Sequence, residues 1–335
     1  MEILSRVHAR NLTAWAKDKP QVLVLSADLT SSCEADLFRD TYPDRFISCG
    51  IAEQNMLSVA GGLCREGFVP FIHTFGVFIY RRAYDQVAMS VAYPNLPVKM
   101  FGFLPGITTP GGATHQAIED LALMRALPNL TVLEVGDATE VESVLDLVLA
   151  IPGPVYVRML RGEVPRLFPA DQPMRLDVPR VLQTGTDLTI VSSGICTEEA
   201  LRAVAALKAR GLSLTHLHVS TLKPFHNAQY GDLLGSGRRG IITMENHLVD
   251  GGLGTVVAEK CQALGLGRPL LKLGLRDTFS HGASRAYLMK EHGLDAGALI
   301  RAAETLMGTT FSITEDELAA IRIEAVHHDA KAEGL

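Results

Sequence analysis

The chain has 335 residues, 47% of them hydrophobic, with 31 basic against 37 acidic side chains and a net charge of −6. That length allows two domains, each with its own core. The mild acidity, without a block of lysine or arginine, argues against nucleic acid and anionic membranes as partners.

In chain order, apolar runs at 22–26, 46–48, 69–73, 98–103, 131–135 and 155–158 read as strands separated by helical patterns. Such alternation predicts a mostly parallel sheet with helices on both faces. A proline-bearing stretch without periodicity marks a linker, placed at 165–182. The alternation then restarts with a strand at 187–192, a helix at 197–210, and strands at 212–217 and 240–244. The fold class is therefore α/β, with two successive open, mostly parallel sheets flanked by helices. The domains are 1–164 and 183–308. In the remaining 309–335, Thr314-Glu315-Asp316-Glu317 reads as an N-cap with acids in the first turn of a closing helix reaching toward His328. The opening residues Met1-Glu2-Ile3-Leu4-Ser5-Arg6 lack a charged-then-apolar leader, and no apolar stretch approaches membrane-span length, so a cytoplasmic location is expected. Cys33, Cys49, Cys64, Cys196 and Cys261 are odd in number and form no CxxC or metal pattern, which predicts reduced thiols.

The most informative stretch is Cys49-Gly50-Ile51-Ala52-Glu53-Gln54-Asn55-Met56. It sets one acid between a glycine-containing turn and a predicted helix over 54–65, where Met56, Val59, Ala60 and Leu63 have the spacing of a buried stripe. Gly61-Gly62 would let another segment pack closely. A carboxyl entering such a surface is costly when charged; it either keeps a proton or meets a partner that shares one.

Downstream come Gly67-Phe68-Val69-Pro70-Phe71-Ile72-His73-Thr74-Phe75-Gly76-Val77-Phe78, then Arg82-Ala83-Tyr84-Asp85-Gln86, Thr114-His115-Gln116-Ala117-Ile118-Glu119-Asp120 and Leu127-Pro128-Asn129. In order and spacing these resemble the pyrimidine-binding domain of the transketolase family of thiamine diphosphate enzymes. The resemblance implies that Glu53 hydrogen-bonds N1′ of the cofactor's aminopyrimidine and drives its proton relay. It also implies that Phe78, with Phe75 nearby, supplies the stacking wall. Asp28, at the end of the run 22–26, would lie near the cofactor at the ligand-bearing edge of a parallel sheet; as a residue alone it reads equally as a turn aspartate. His115 would approach the hydroxyls of the donor sugar and move protons there. Arg161, Arg6 and Ser32 match the family's phosphate-binding positions. Arg158 and Arg161 also read as plain strand-end charges.

The other half of a thiamine enzyme holds the diphosphate through Mg²⁺, using Gly-Asp-Gly and a later asparagine. Neither Tyr230-Gly231-Asp232-Leu233 nor Val135-Gly136-Asp137-Ala138 supplies that motif. The resemblance therefore implies the carboxyl-terminal half of a split, two-subunit transketolase. No metal ligand is assigned to this chain; an N-terminal partner subunit would carry Mg²⁺ and the diphosphate. Self-association into an α2β2 complex and sugar-phosphate substrates are also implied. In the second domain, Glu245-Asn246-His247-Leu248-Val249-Asp250 resembles a turn in a region that mainly supports dimerisation in the family.

The expected reaction is ketol transfer from a ketose donor to an aldose acceptor. Two substitutions point to an unusual ketose: Gly111 stands where familiar transketolases carry an aspartate, and Phe103 stands near the place of a second histidine. Tyr80-Arg81-Arg82-Ala83-Tyr84-Asp85-Gln86 and Asp277-Thr278-Phe279-Ser280-His281-Gly282 are similar to deoxyxylulose-phosphate synthase, although that family usually follows the Glu-Gln pair with histidine where Asn55 stands. The β subunit of 2-oxoacid dehydrogenases is a further half-enzyme, but it lacks the Thr-His-Gln segment. A transketolase-like scaffold without chemistry is the alternative outside enzymes; Glu53 and Phe78 argue against it, since folding requires neither.

Overall fold

A computed structural model of the chain describes residues 2–321. Its strands are β1 (Ile3–Ser5), β2 (Val22–Ser26), β3 (Phe46–Ser48), β4 (Val69–Phe75), β5 (Lys99–Phe103), β6 (Thr131–Glu134), β7 (Val155–Met159) and β8 (Glu163–Pro165), then β9 (Arg180–Gln183), β10 (Leu188–Ser192), β11 (Leu214–His218), β12 (Thr221–Lys223), β13 (Gly240–Leu248) and β14 (Leu270–Leu275). The first sheet has the order β12-β6-β7-β5-β4-β2-β3 and the second β14-β13-β10-β11-β9. Both are parallel apart from one edge strand each, β12 on β6 and β9 on β11. Every residue of β2, β5, β7, β10 and β11 is buried. This is why these runs are largely apolar and why their long polar side chains, Lys99 on β5 and Arg158 on β7, are hydrogen-bonded, as in strands covered on both faces.

The strands β1, β8 and β14 were not expected, β13 runs four residues past its expected end at 244, and two further features depart from the sequence reading. Residues 180–183, overlapping the end of the expected linker, form β9 and join the second sheet. The edge of the first sheet is completed by β12, which comes from the second half of the chain. Three residues carry no periodic signal, so neither pairing is legible locally. At the far end, Thr314 forms a capping box with Glu317 at the start of helix Glu315–Ala320. The expected reach of that helix to His328 lies outside the described residues.

The halves are joined by a buried ionic cluster. Arg158, on β7, is fully buried and donates to Asp120 (Nε, 2.8 Å), to Glu134 (2.8 Å), and to the carbonyls of Ala117 (2.8 Å) and Asn246 (2.9 Å). Burial alone would raise the Asp120 pKa, but the guanidinium outweighs it and holds the carboxyl below its ordinary value. A second cluster joins the halves at Glu140, which accepts from Ser220 and pairs with His218 at 3.0 Å, whose other ring nitrogen meets Thr197 at 2.6 Å. Arg158 is thus a structural cation and not a free strand-end charge. Arg158→Met leaves Asp120 and Glu134 buried without their counter-ion, and is expected to cost about 3–5 kcal/mol of stability. A denaturant midpoint unchanged from wild type would contradict this.

Several histidines are buried as neutral rings. Burial lowers the pKa of His73 and His247 to about 4 and of His216 to about 3. The unfolded chain protonates such rings near pH 6.5, so between that pH and about 4 it binds more protons than the folded chain. Glu245, pushed up to about 7 by burial, acts in the opposite sense, as do Glu34 and Asp137, but with His8, also lowered by burial, the rings outnumber these acids. Stability is therefore expected to fall as pH drops from about 6.5 to 4 and to level off above 7. Urea midpoints at pH 5 and 7.5 test this, and a higher midpoint at pH 5 would refute it.

Candidate functional site

The site forms at the carboxyl ends of β2, β3 and β4. The chain leaves β2 for β3 on one side and then returns to β4 on the other, and a crevice opens at such a switch point. Asp28 stands at the end of β2, exposed, with φ 61°. Nearby, helix Asp36–Thr41 starts at Ala35 without a side-chain cap, so Asp28 does not serve as its N-cap.

Glu53 is the first residue of helix Glu53–Arg65, which begins one residue earlier than expected. The expected stripe is partly corrected. Met56 and Ala60 are buried and Leu63 packs on the core, but Val59 is exposed and Leu57 takes an inward place. At Gly61 an added Cβ would come within 2.5 Å of the Ser90 carbonyl oxygen, so the glycine allows residues 87–92 to lie against this helix. Gly62 faces open space.

Glu53 is 1% exposed, and its Oε2 accepts a hydrogen bond from Arg82 Nη1 at 2.9 Å. The partner that this acid meets is a cation, the Arg82 guanidinium. The Arg82 guanidinium also lies over the Phe78 ring, 4.4 Å from its centroid. Phe78 opens a π-helical turn, Phe78–Arg82, and a second runs Val87–Ala92. Such turns are frequent at functional sites.

Phe75 and Phe78 are 5.8 Å apart and nearly parallel, and His115 meets both edge-on at 6.1 and 5.7 Å. The His115 Nδ1 is 2.9 Å from the Thr114 hydroxyl. Gly111 packs on this ring: an added Cβ would sit 3.0 Å from the His115 Cβ, so the histidine would have to yield to any larger residue. The aspartate of familiar transketolases therefore has no room here without moving His115. Phe103, by contrast, is fully buried between His8 and His73, with centroids 5.5 and 5.8 Å away, and is a core residue.

Arg161, Ser32 and Arg6 are brought together by the antiparallel β1–β8 ribbon. The Arg6 amide donates to the Gly162 carbonyl at 2.8 Å, and Arg161 donates to the Ser32 carbonyl at 3.0 Å while lying 5.8 Å from the Phe75 centroid. The Arg6 side chain pairs with Asp36. The contacts thus run unbroken from Glu53 through Arg82, Phe78, Phe75 and Arg161 to Ser32.

Three residues that sequence reasoning left unassigned shape this cluster. Arg82 was visible as a cation four residues beyond Phe78 in a helical run. Glu34, 4% exposed with φ 53°, accepts from Gly162 N at 2.6 Å and Ala9 N at 3.2 Å, tying together the segments that bear Arg6, Ser32 and Arg161. Burial raises its pKa, against the pull of those amides and of Arg6 and Arg161. Arg81 donates to Glu119 (2.6 and 2.8 Å) and to the carbonyls of Ala113 (2.8 Å) and Gln116 (3.3 Å), clamping the loop that carries His115.

Other candidates fall elsewhere. Asp137 caps helix Ala138–Ala150 and accepts from the amides of Leu167 and Phe168. His247 is fully buried, with Nδ1 2.7 Å from the Leu248 carbonyl. Cys49 is half-buried, with its thiol pKa raised by burial. Among the described residues no group of three or more His, Cys, Asp or Glu is placed to hold a metal ion, and no helix is long and apolar enough to cross a membrane.

The two open, mostly parallel sheets define an α/β protein, with the buried Glu53 and the Phe75–Phe78 pair beyond the carboxyl ends of strands in the first. Residues 4–166 match the transketolase pyrimidine-binding domain family, and residues 178–299 the transketolase C-terminal domain family. The 6-deoxy-6-sulfo-D-fructose transketolase subunit SqwH of Clostridium sp. (strain MSTE9) is 38% identical over 294 residues, 87% of this chain and 90% of that protein. A 1-deoxy-D-xylulose-5-phosphate synthase of Methylacidiphilum infernorum is 29% identical, over 87% of this chain and 46% of its own. Among solved structures, a split-gene transketolase described as an inactive β4 tetramer superposes with a TM-score of 0.81 and 36% identity, covering 91% of this chain and 97% of that one. The chain belongs to the transketolase family.

Arg81→Ala should loosen residues 113–119 while leaving the rest of the fold intact. Amide hydrogen exchange across that loop is expected to accelerate by about tenfold, the loss of roughly one to two net hydrogen bonds. Unchanged protection there would contradict the clamp.

Proposed function

We propose that this chain is the carboxyl-terminal subunit of a two-chain, thiamine diphosphate-dependent transketolase. It transfers a two-carbon ketol unit from a ketose donor to an aldose acceptor, and works only beside an amino-terminal subunit that holds the diphosphate and Mg²⁺. The observation carrying this reading is Glu53: a 1% exposed carboxylate at a helix start, joined to the face of Phe78 through the Arg82 guanidinium. A buried acid beside a flat aromatic wall suits a planar heterocycle with ring N–H groups, and folding alone gives no reason for that pairing.

When bound, the cofactor would supply the electron sink for breaking and remaking a carbon–carbon bond next to a carbonyl. In this chain Glu53 would accept a hydrogen bond at N1′ and hold or release the proton shared there. Phe78, backed by Phe75, would fix the plane of the pyrimidine and exclude water from one face. Asp28 would border the same crevice. His115, edge-on to both rings, would move protons at the donor's hydroxyls. Arg161, with Arg6 and Ser32, would hold the anionic end of the sugar, either a phosphate or a sulfonate. Support for a separate partner comes from the SqwH relative, named a subunit and matched over 90% of its length. An α2β2 assembly fits a site made between chains.

One observation favours a second reading. The two segments that are similar to deoxyxylulose-phosphate synthase meet in space, Arg81 lying 5.7 Å from the Phe279 ring. Asn55 and a match to only 46% of such a relative weigh against it.

The test is reconstitution with a Gly-Asp-Gly-bearing partner, thiamine diphosphate and Mg²⁺. Ketol transfer is expected from phosphorylated or sulfonated ketoses and none from this chain alone. Glu53→Gln should lower kcat by at least about a hundredfold while assembly, followed by gel filtration, is kept. Turnover by the single chain, or normal rates in the variant, would overturn the proposal.

A further inference from the structure

Arg82 makes two contacts, and they coincide with the two that the proposed function assigns to the aminopyrimidine. Its Nη1 donates to Glu53 Oε2 at 2.9 Å, and its guanidinium lies 4.4 Å above the Phe78 centroid. A guanidinium and a protonated aminopyrimidine share the relevant chemistry. Both are planar, both stack on an aromatic face, and both direct in-plane N–H groups at a carboxylate. Phe78 has its other neighbours already in place, with Phe75 nearly parallel to it and His115 edge-on.

We propose that Arg82 is a displaceable stand-in for the cofactor's pyrimidine ring. It satisfies Glu53 and covers Phe78 until a heterocycle takes both contacts. The inference rests on the reading of Glu53 and Phe78 given under the proposed function. Two observations fit displacement over a permanent role. The Arg82 side chain is 43% exposed, so it can leave toward solvent without repacking, whereas Glu53 at 1% cannot follow it. Arg82 also closes the π-helical turn Phe78–Arg82, a backbone form frequent at functional sites. The device solves a physical problem for a half-site. Glu53 is buried whether or not a partner chain is attached, and a buried carboxylate without a counter-charge destabilises the fold. The same pairing makes cofactor uptake a competition, since each ligand bound must first break the ion pair and the stacking contact.

The test uses the full chain assembled with its diphosphate-binding partner at saturating Mg²⁺, titrated with thiamine diphosphate and followed by the circular-dichroism band of bound cofactor. Arg82→Met removes the competitor. It should tighten cofactor binding by about tenfold, from loss of a half-exposed ion pair and a cation–π contact. The variant's denaturant midpoint without cofactor should fall at the same time. Arg82→Lys keeps a charge for Glu53 but not the planar stack, so it folds like wild type and should tighten binding by roughly threefold. Wild-type binding with equal or weaker affinity in both variants overturns the stand-in and leaves the transketolase reading in place. Absence of cofactor binding by the wild-type assembly overturns both.

Discussion

The Arg158 guanidinium fixes the relation between the two sheets, and the site depends on that relation. Its donors run to Asp120 and Glu134 in the first half and to the Asn246 carbonyl in the second. Asn246 in turn accepts from Ile107 N at 2.9 Å and donates to the Pro105 carbonyl at 3.0 Å, while Leu248 N donates to the Ile118 carbonyl at 2.9 Å. The loop from Pro105 to Ile118, which carries Gly111 and His115, is therefore held at both ends by β13 of the second sheet. Gln116 adds a bond to the His281 carbonyl at 3.2 Å. The second domain reaches the site through this loop, although its own candidate histidine, His247, is buried away from it. A cation sealed from water is a costly way to join two domains, and its advantage is that few other arrangements satisfy all its donors at once.

Of the nine non-glycine residues with positive φ among the described residues, Asn95, Asn129, Asp177 and Ser312 lie elsewhere and five fall in this region. Arg6, Asp28, Glu34 and Leu104 adopt positive φ, as does Asp277 in the loop that packs on residues 110–116. Left-handed conformations cost non-glycine residues free energy and persist only where surrounding contacts over-determine them. Glu34 illustrates how: its carboxylate accepts two amides from other segments, so its turn is held by bonds that also set the spacing of Arg6 and Arg161. Asp28, at the carboxyl end of β2, shows no comparable set of bonds among the described residues.

Much of the fold was legible because the parallel strands are covered on both faces. Continuous runs such as Val22-Leu23-Val24-Leu25 allow no amphipathic ambiguity, and the bounds of β2 to β7 fell within two residues of those observed, whereas β13 runs four residues past its expected end and β14 was not read. The short strands β9 and β12 were illegible because their pairing is decided by distant partners and not by their own three or four residues. At the site, the family resemblance pointed to Glu53, Phe75, Phe78 and His115; the three rings touch one another and Glu53 joins them through Arg82. What the sequence could not display was the charge pairing. Arg82 reads as one more cation in Arg81-Arg82, and only three-dimensional placement separates the first, which clamps a loop, from the second, which sits on Glu53. Likewise Arg158 and Arg161 stand three residues apart with opposite fates, one sealed in the core and one facing Ser32.

The proposed anion-binding trio carries a further consequence of pairing. Arg6 is bonded to Asp36, and Glu34 lies close enough to Arg6 and Arg161 for both guanidiniums to pull on its pKa. Among the described residues these two cations stand beside two acids, which weakens any long-range field the trio would present to an anion. Anion binding at the proposed trio would therefore come from directional N–H donors at short range, with the incoming oxygens competing against Asp36 for Arg6. Such a balance would select an anion by its geometry more than by its total charge, whereas a strongly cationic pocket would weigh charge first.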